Sequence, residues 1–188
     1  YNYENFDIES INLINSFISD KDLGGLNVTI PYKEEIIPYL DALSDDAKEI
    51  GAVNTICFEN NKKIGYNTDI FGFTESLKVN SINNIKAMII MGTGGAAKTI
   101  IYFCKKNKIP YNILSRKNSK DYLSYRDINY TFFKGNVLIV NCTPVGTYPN
   151  INKCPDLPYN LLKKENILYD LVYNPSETLF IKKGKEIG

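Results

Sequence analysis

The 188-residue chain contains no histidine, which removes the commonest side-chain general base and every device that activates a serine or cysteine through an imidazole. Proton transfer must then fall to Lys, Asp, Glu, Tyr or Cys, and two such residues stand where the pattern of the chain changes. Lys33, in "NVTIPYK", follows an apolar, β-branched run over residues 26–30. That run is expected to be a strand terminated by Pro31, because proline has no N–H for a ladder and a fixed φ. Asp69, in "GYNTDIFG", stands where a strand pattern gives way to a helical one. Sites of α/β proteins are built at strand ends. Lysine gives up its proton more readily when desolvated, and a nearby carboxylate holds and orients it, so the two suit a proton-transfer pair. Taken singly, Lys33 also reads as a solvated lysine beginning a helix, and Asp69 as an N-cap.

A second group of residues carries no charge at all. "MIIMGTGGAAK" places Gly92, Gly94 and Ala97 in a G-x-G-x-x-A pattern, with Gly95 and Ala96 between, directly after a strand-like run and opening a helix. In that setting the first glycine makes a tight turn, the second lets backbone approach a pyrophosphate, and the small third residue lets helix pack on strand. The free N–H groups of the helix start then bind the anion. The alternative is a glycine turn in an ordinary α/β unit. The next strand, "YNILS", ends at Ser115, 23 residues after Gly92, and is followed by Arg116 and Lys117. An acidic residue there would bind the ribose 2′-hydroxyl of NAD, whereas cations suit the 2′-phosphate of NADP, so NADP is the expected cofactor. The competing reading is a solvated cationic cluster that includes Lys120.

Around these residues the elements fall into two styles. Residues 8–19 repeat apolar side chains at helical spacing, a short helix is expected around Pro38, and "SDDAKEIG" reads as a helix capped by Ser44 and ended by Gly51. "AVNTICFENNKKIGYNTD" reads as a hairpin turning at residues 59–61, and "DIFGFTESLKVN" as the helix leading out. From Lys86 onward, continuous apolar runs in "KAMIIMG", "PYNILSR", "NVLIVNC" and "NILYDLVY" alternate with helical stretches, the mark of a parallel sheet covered on both faces. The expected class is α/β with two units, residues 1–70 and 71–188. Four cysteines lack C-x-x-C spacing, so neither a zinc site nor a disulfide framework is expected. A net charge of +1 and the lack of a basic stripe argue against nucleic-acid or membrane partners. With no signal-peptide pattern and no apolar run near the ~20 residues of a membrane span, a reduced, cytoplasmic protein is the expectation.

The motifs "NVTIPYK", "GAVNT", "GYNTDIFG", "GTGGAAK", "NCTPVGT" and "YDLVYNPSET", in this order and spacing, resemble those of shikimate dehydrogenases. The resemblance implies an α/β substrate domain followed by a Rossmann-type NADP domain, with the active site in the cleft between them. It also implies NADPH-dependent, reversible reduction of 3-dehydroshikimate to shikimate, by a monomer or homodimer. Carried over, the catalytic residues fall on Lys33 and Asp69, and the substrate contacts on Thr29, Asn54, Asp69 and Tyr173. Thr143 and Val145 would line the cofactor cleft beside Gly92, Gly94, Gly95, Ala96, Ala97, Ser115, Arg116 and Lys117. The family's serine-containing first loop and its late glutamine segment have no counterpart here, so a chain lacking part of the substrate pocket is expected. Two rival readings are a quinate/shikimate dehydrogenase preferring NAD and a dinucleotide-binding module without turnover.

Overall fold

A computed structural model describes residues 2–19, 23–116 and 119–187, and the chain divides at Asp69 into two units, Tyr1–Asp69 and Ile70–Gly188. In the first unit, β1 (Gly25–Asn27), β2 (Ala42–Leu43), β3 (Thr55–Glu59) and β4 (Lys62–Tyr66) form one sheet in the order β1-β3-β4-β2. Only β2 and β4 run parallel. The β3–β4 hairpin turns on Asn60 and Asn61, at φ 50° and 62°. Two successive left-handed residues give the twist a two-residue hairpin needs, and asparagine tolerates them. Helix α1 (Ile14–Ser19) and α2 (Asp45–Ile50) cover this sheet, and Ile14, Ile36, Ala47, Val53 and Ile56 form its core.

Local capping explains where these helices begin and end. Ser44 Oγ accepts the Ala47 N–H at 3.2 Å, and Gly51 closes α2 at φ 68°. The single helix expected over 8–19 is instead a 3-10 turn, Ile11–Leu13, running into α1. Ser10 caps that turn and leaves residues 8 and 9 outside it.

The strand expected over 26–30 also stops early, at Asn27. Val28 N–H still donates to Asn54 O at 2.8 Å, but the next backbone donor on the partner side, Val53 N–H, bonds Lys33 O at 2.7 Å. The chain therefore leaves the ladder before Pro31, which sits in the turn closed by Tyr32 N–H on Thr29 O (2.9 Å) rather than acting as the strand terminator. Lys33 is presented by that turn.

In the second unit, β5 (Ala87–Met91), β6 (Tyr111–Leu114), β7 (Val137–Asn141) and β8 (Ile167–Asp170) are all parallel, in the order β6-β5-β7-β8. All four apolar runs read from the sequence are thus strands. Helix α3 (Asp69–Val79) and α4 (Gly95–Lys106) share one face, where Phe73 meets the rings of Phe103 and Tyr169 edge-on at 5.1 and 5.2 Å. Met88, alternating with Ile89, points to that face, its sulfur 3.2 Å from Cys104 Sγ. Ile89 and Met91 point to the other, into a core with Phe133, Leu157 and Phe180 of α5 (Leu179–Lys185). Strand order reverses between β5 and β7, so their carboxyl ends flank the switch point at which such sheets bind ligands.

Three side chains close around one glycine of the first unit. A Cβ on Gly65 of β4 would lie 2.6 Å from Leu40 Cδ1, 2.8 Å from Leu43 Cδ2 and 2.8 Å from Val53 Cγ2. Gly65→Ala is expected to destabilise the chain by ~1–3 kcal/mol, the range for overpacking a filled core. Urea denaturation checks it, and a midpoint equal to wild type would show that the three side chains move aside freely.

Candidate active site

The turn that presents Lys33 and the short segment between β4 and α3 bring two charges into contact. Lys33 Nζ lies 2.6 Å from Asp69 Oδ2, with 17% of the lysine side chain and 38% of the aspartate exposed. The other carboxylate oxygen, Oδ1, accepts from Asn54 Nδ2 at 2.7 Å. Asn54 Nδ2 also donates to Thr68 Oγ1 (2.9 Å), and Asn54 Oδ1 accepts from Thr68 N–H (2.8 Å) and Thr55 Oγ1 (3.2 Å). This settles the amide's orientation, since a backbone N–H only donates and an ionised carboxylate only accepts. Backbone bonds fix Asn54 itself, from its N–H to Tyr66 O at 3.0 Å and from Val28 N–H to its carbonyl. Buried Asn67 ties the turn down through Ala52 O at 3.0 Å. The arrangement can hold an ammonium in one place with N–H bonds to spare for a ligand oxygen.

The glycine turn between β5 and α4 is built differently. Gly92 adopts φ 113°, and a Cβ there would lie 3.1 Å from Thr143 Cγ2 and 3.2 Å from Cys142 O. Both the torsion and the space therefore require glycine. Gly94 is the N-cap of α4 without a side-chain cap, and a Cβ on it would meet nothing within 4 Å, so the helix start faces open space. The first helical bond runs from Lys98 N–H to Gly94 O at 3.1 Å, which leaves the N–H groups of Gly95, Ala96 and Ala97 without an intrahelical acceptor. Ala97 is fully buried. Free donors, a positive dipole end and open space suit a pyrophosphate.

Other residues named from the sequence fall in several places. Thr29 is exposed in the turn before Lys33. Ser115 is 8% exposed, with its N–H on Leu123 O at 3.0 Å. Arg116 is exposed just past β6. It lies close enough to Tyr125 to oppose the burial that pushes that phenol up to about 12. Lys117 lies outside the described residues. Thr143 and Val145 lie in the loop after β7, the first of them against Gly92. Tyr173 is 90% exposed. The structure thus joins Lys33, Asn54 and Asp69 in one cluster and Gly92 with Thr143 in another. Sequence reasoning missed Thr55 and Thr68 as braces of Asn54, although Thr68 adjoins Asp69 within "YNTD". It also gave no role to Asn141, which ends a strand-like run and opens "NCTPVGT".

Residues 1–56, which include Lys33 and Asn54, match the family model described as the shikimate dehydrogenase substrate binding domain. The shikimate dehydrogenase (NADP(+)) of Methanococcus vannielii is 40% identical over 210 residues, an alignment spanning 100% of this chain and 73% of that protein. The chain belongs to the shikimate dehydrogenase family. The crystal structure of shikimate dehydrogenase 1 from Peptoclostridium difficile superposes with a TM-score of 0.84 at 37% identity, covering 97% of this chain and 71% of that one. A shikimate 5-dehydrogenase from Thermus thermophilus, solved with NADP(H) and shikimate, superposes with a TM-score of 0.78 at 29% identity, over 89% of this chain and 66% of its own. The fold is that of the family, α/β with a substrate-binding part, matched here by residues 1–56, and a Rossmann-type part.

The contact between Asn54 and Asp69 makes a sharp expectation. In Asn54→Asp a second carboxylate replaces the donor 2.7 Å from Asp69 Oδ1, and like charges that close repel, with the Lys33 ammonium to offset only part of it. A carboxyl group whose folded-state pKa is raised destabilises most when ionised. The variant should therefore melt below wild type at pH 7.5, and the gap should narrow as the pH falls towards 5. A gap that is constant over this range would mean that Asp69 and residue 54 do not interact electrostatically.

Proposed function

We propose that the chain catalyses the reversible, NADP-dependent interconversion of shikimate and 3-dehydroshikimate in aromatic amino-acid biosynthesis, with Lys33 moving the proton and Asp69 orienting it. The observation that carries this reading is the 2.6 Å contact from Lys33 Nζ to Asp69 Oδ2, with Asn54 holding the second oxygen, in a chain that has no histidine. Bound dinucleotide would supply or accept the hydride, and it has no group for the proton of the alcohol. Lys33 meets that need: its ammonium donates to the oxygen of the carbonyl being reduced, and its amine accepts the proton in the opposite direction.

Asp69 keeps the lysine at a fixed position and balances its charge. Asn54 fixes Asp69, and a substrate hydroxyl reaching Asn54 would compete with Thr68 Oγ1 for its second N–H. Thr29 and Tyr173 are further substrate contacts in this reading, supported by family membership and by their exposure. In the Rossmann-type unit, the Gly92, Gly94, Gly95, Ala96 and Ala97 turn would hold the pyrophosphate. Arg116, with Ser115 and Lys117 beside it, would take the 2′-phosphate, and Thr143 and Val145 would border the nicotinamide half. The fit rests on the uncapped, open start of α4 and on the glycine-only space at Gly92.

Spectrophotometric assay of shikimate oxidation with NADP+ tests the chemistry. Lys33→Ala should lower kcat by ~10²–10⁴ while KM changes less, because the proton moves only in the reaction step. Lys33→Arg should not restore it, since guanidinium stays protonated. A near wild-type kcat in Lys33→Ala would overturn the assignment of the proton to lysine. Fluorescence titration tests the cofactor: NADPH should bind more tightly than NADH. Arg116→Ala should lose most of that preference, a loss of order 1.5–3 kcal/mol for one charge-assisted hydrogen bond. Equal affinities in the wild-type chain would overturn the NADP preference.

A further inference from the structure

Asn141 closes β7 with no solvent exposure, registered between Met91 of β5 and Asp170 of β8. A buried amide must have its hydrogen bonds met, and this one commits all of them to one loop and one carboxylate. Its nitrogen donates to Asp170 Oδ1 at 2.9 Å and to Val145 O at 3.3 Å. Its oxygen accepts from the Thr143 N–H at 3.0 Å and from the Thr143 hydroxyl at 2.6 Å. Thr143 Oγ1 in turn accepts from Val145 N–H at 3.3 Å. The amide cannot reverse, because Thr143 N–H only donates and Val145 O only accepts.

Asp170 is anchored from the other side. It accepts from Val172 N–H at 3.0 Å and from the hydroxyl of Thr178, the buried N-cap of α5, at 2.6 Å. A polar chain thus runs from the start of α5 through Asp170 and Asn141 into residues 143–145. That loop belongs to no helix or strand, yet it carries the methyl group of Thr143 that would lie 3.1 Å from a Cβ on Gly92.

We propose that Asn141 and Asp170 are positioning residues for the nucleotide. They hold the 143–145 loop against the Gly92 turn before any dinucleotide arrives, and so set its affinity without touching the reacting atoms. The inference rests on reading the Gly92–Ala97 turn as the pyrophosphate site. A loop ordered in advance loses less freedom when the ligand binds, so loosening it weakens binding even where every contact residue is retained.

Two isosteric variants test this. Asn141→Asp turns the donor facing Asp170 into a second acceptor and removes the bond to Val145 O, and Asp170→Asn removes the charge while keeping the shape. Three readouts are taken on each: NADPH titration by fluorescence, thermal unfolding, and hydrogen exchange of the Thr143 and Val145 amides without nucleotide. The expected result is NADPH affinity weakened about tenfold or more, the size of one lost hydrogen bond to a charged group, in variants that still unfold cooperatively, with faster exchange at both amides. A purely structural role would lower the melting temperature and leave affinity in the folded variant unchanged, and that outcome overturns the proposal, as does unchanged exchange. If the wild-type chain binds no NADPH while exchange responds as expected, the pyrophosphate reading has failed and the claim on affinity falls with it. Should Asn141→Asp not fold, the affinity of Asp170→Asn decides.

Discussion

Asp69 is the residue on which the first unit's site depends, because each of its oxygens is taken by a different element. Lys33 arrives from the turn after β1 and Asn54 from the residue before β3, while Asp69 itself begins α3. A lysine with only 17% of its side chain exposed needs a partner, since a covered ammonium without one is costly. The carboxylate meets that need, and the asparagine stops it from rotating away. Each brace is itself held by backbone bonds, Lys33 through Val53 N–H and Asn54 through Tyr66 O. The geometry of the Lys33–Asp69 pair is thereby set by the edges of a sheet rather than by the reach of a flexible side chain.

The glycine turn of the second unit offers the opposite arrangement, backbone donors with hardly any formal charge, which would suit an anion. Its donors are the backbone N–H groups of Gly95, Ala96 and Ala97, and the room for a ligand comes from side chains that are absent at Gly92 and Gly94. Backbone dipoles fixed by a helix need no reorganisation when an anion arrives. What must be organised is the neighbouring loop, and a buried network of one amide, one carboxylate and one hydroxyl does so. Burial pushes the Asp170 carboxyl up, and the hydrogen bonds from Thr178, Val172 and Asn141 offset only part of that rise. The carboxyl oxygens are met by those three donors, one from a neighbouring strand, one from the next loop and one from the start of α5.

Much of this architecture was legible in local pattern. The parallel strands announce themselves as continuous apolar runs because both faces of such a sheet are covered, and α2 is bounded by the capping residues Ser44 and Gly51. The glycine turn is legible because only glycine satisfies both the torsion and the close approach at position 92. Less legible was the end of β1. The pattern of residues 26–30 is strand-like throughout, but a strand lasts only as long as its partner stays beside it, and Val53 leaves to bond Lys33.

Residue types and spacing alone determined that these 188 residues offer no histidine for proton chemistry, that a glycine turn opens a helix after β5, and that a cation, Arg116, follows the next strand. Those properties reside in single side chains or in one uninterrupted stretch, so they survive being read one residue at a time. Only the tertiary structure decided that Asn54 grips Asp69 with an amide whose orientation is forced, and that Asn141 joins Asp170 to the loop over Gly92. These pairs are 15 and 29 residues apart. Nothing local distinguishes an asparagine that braces a carboxylate from one that faces water, because the difference lies in donors and acceptors delivered by distant segments once the sheets have closed.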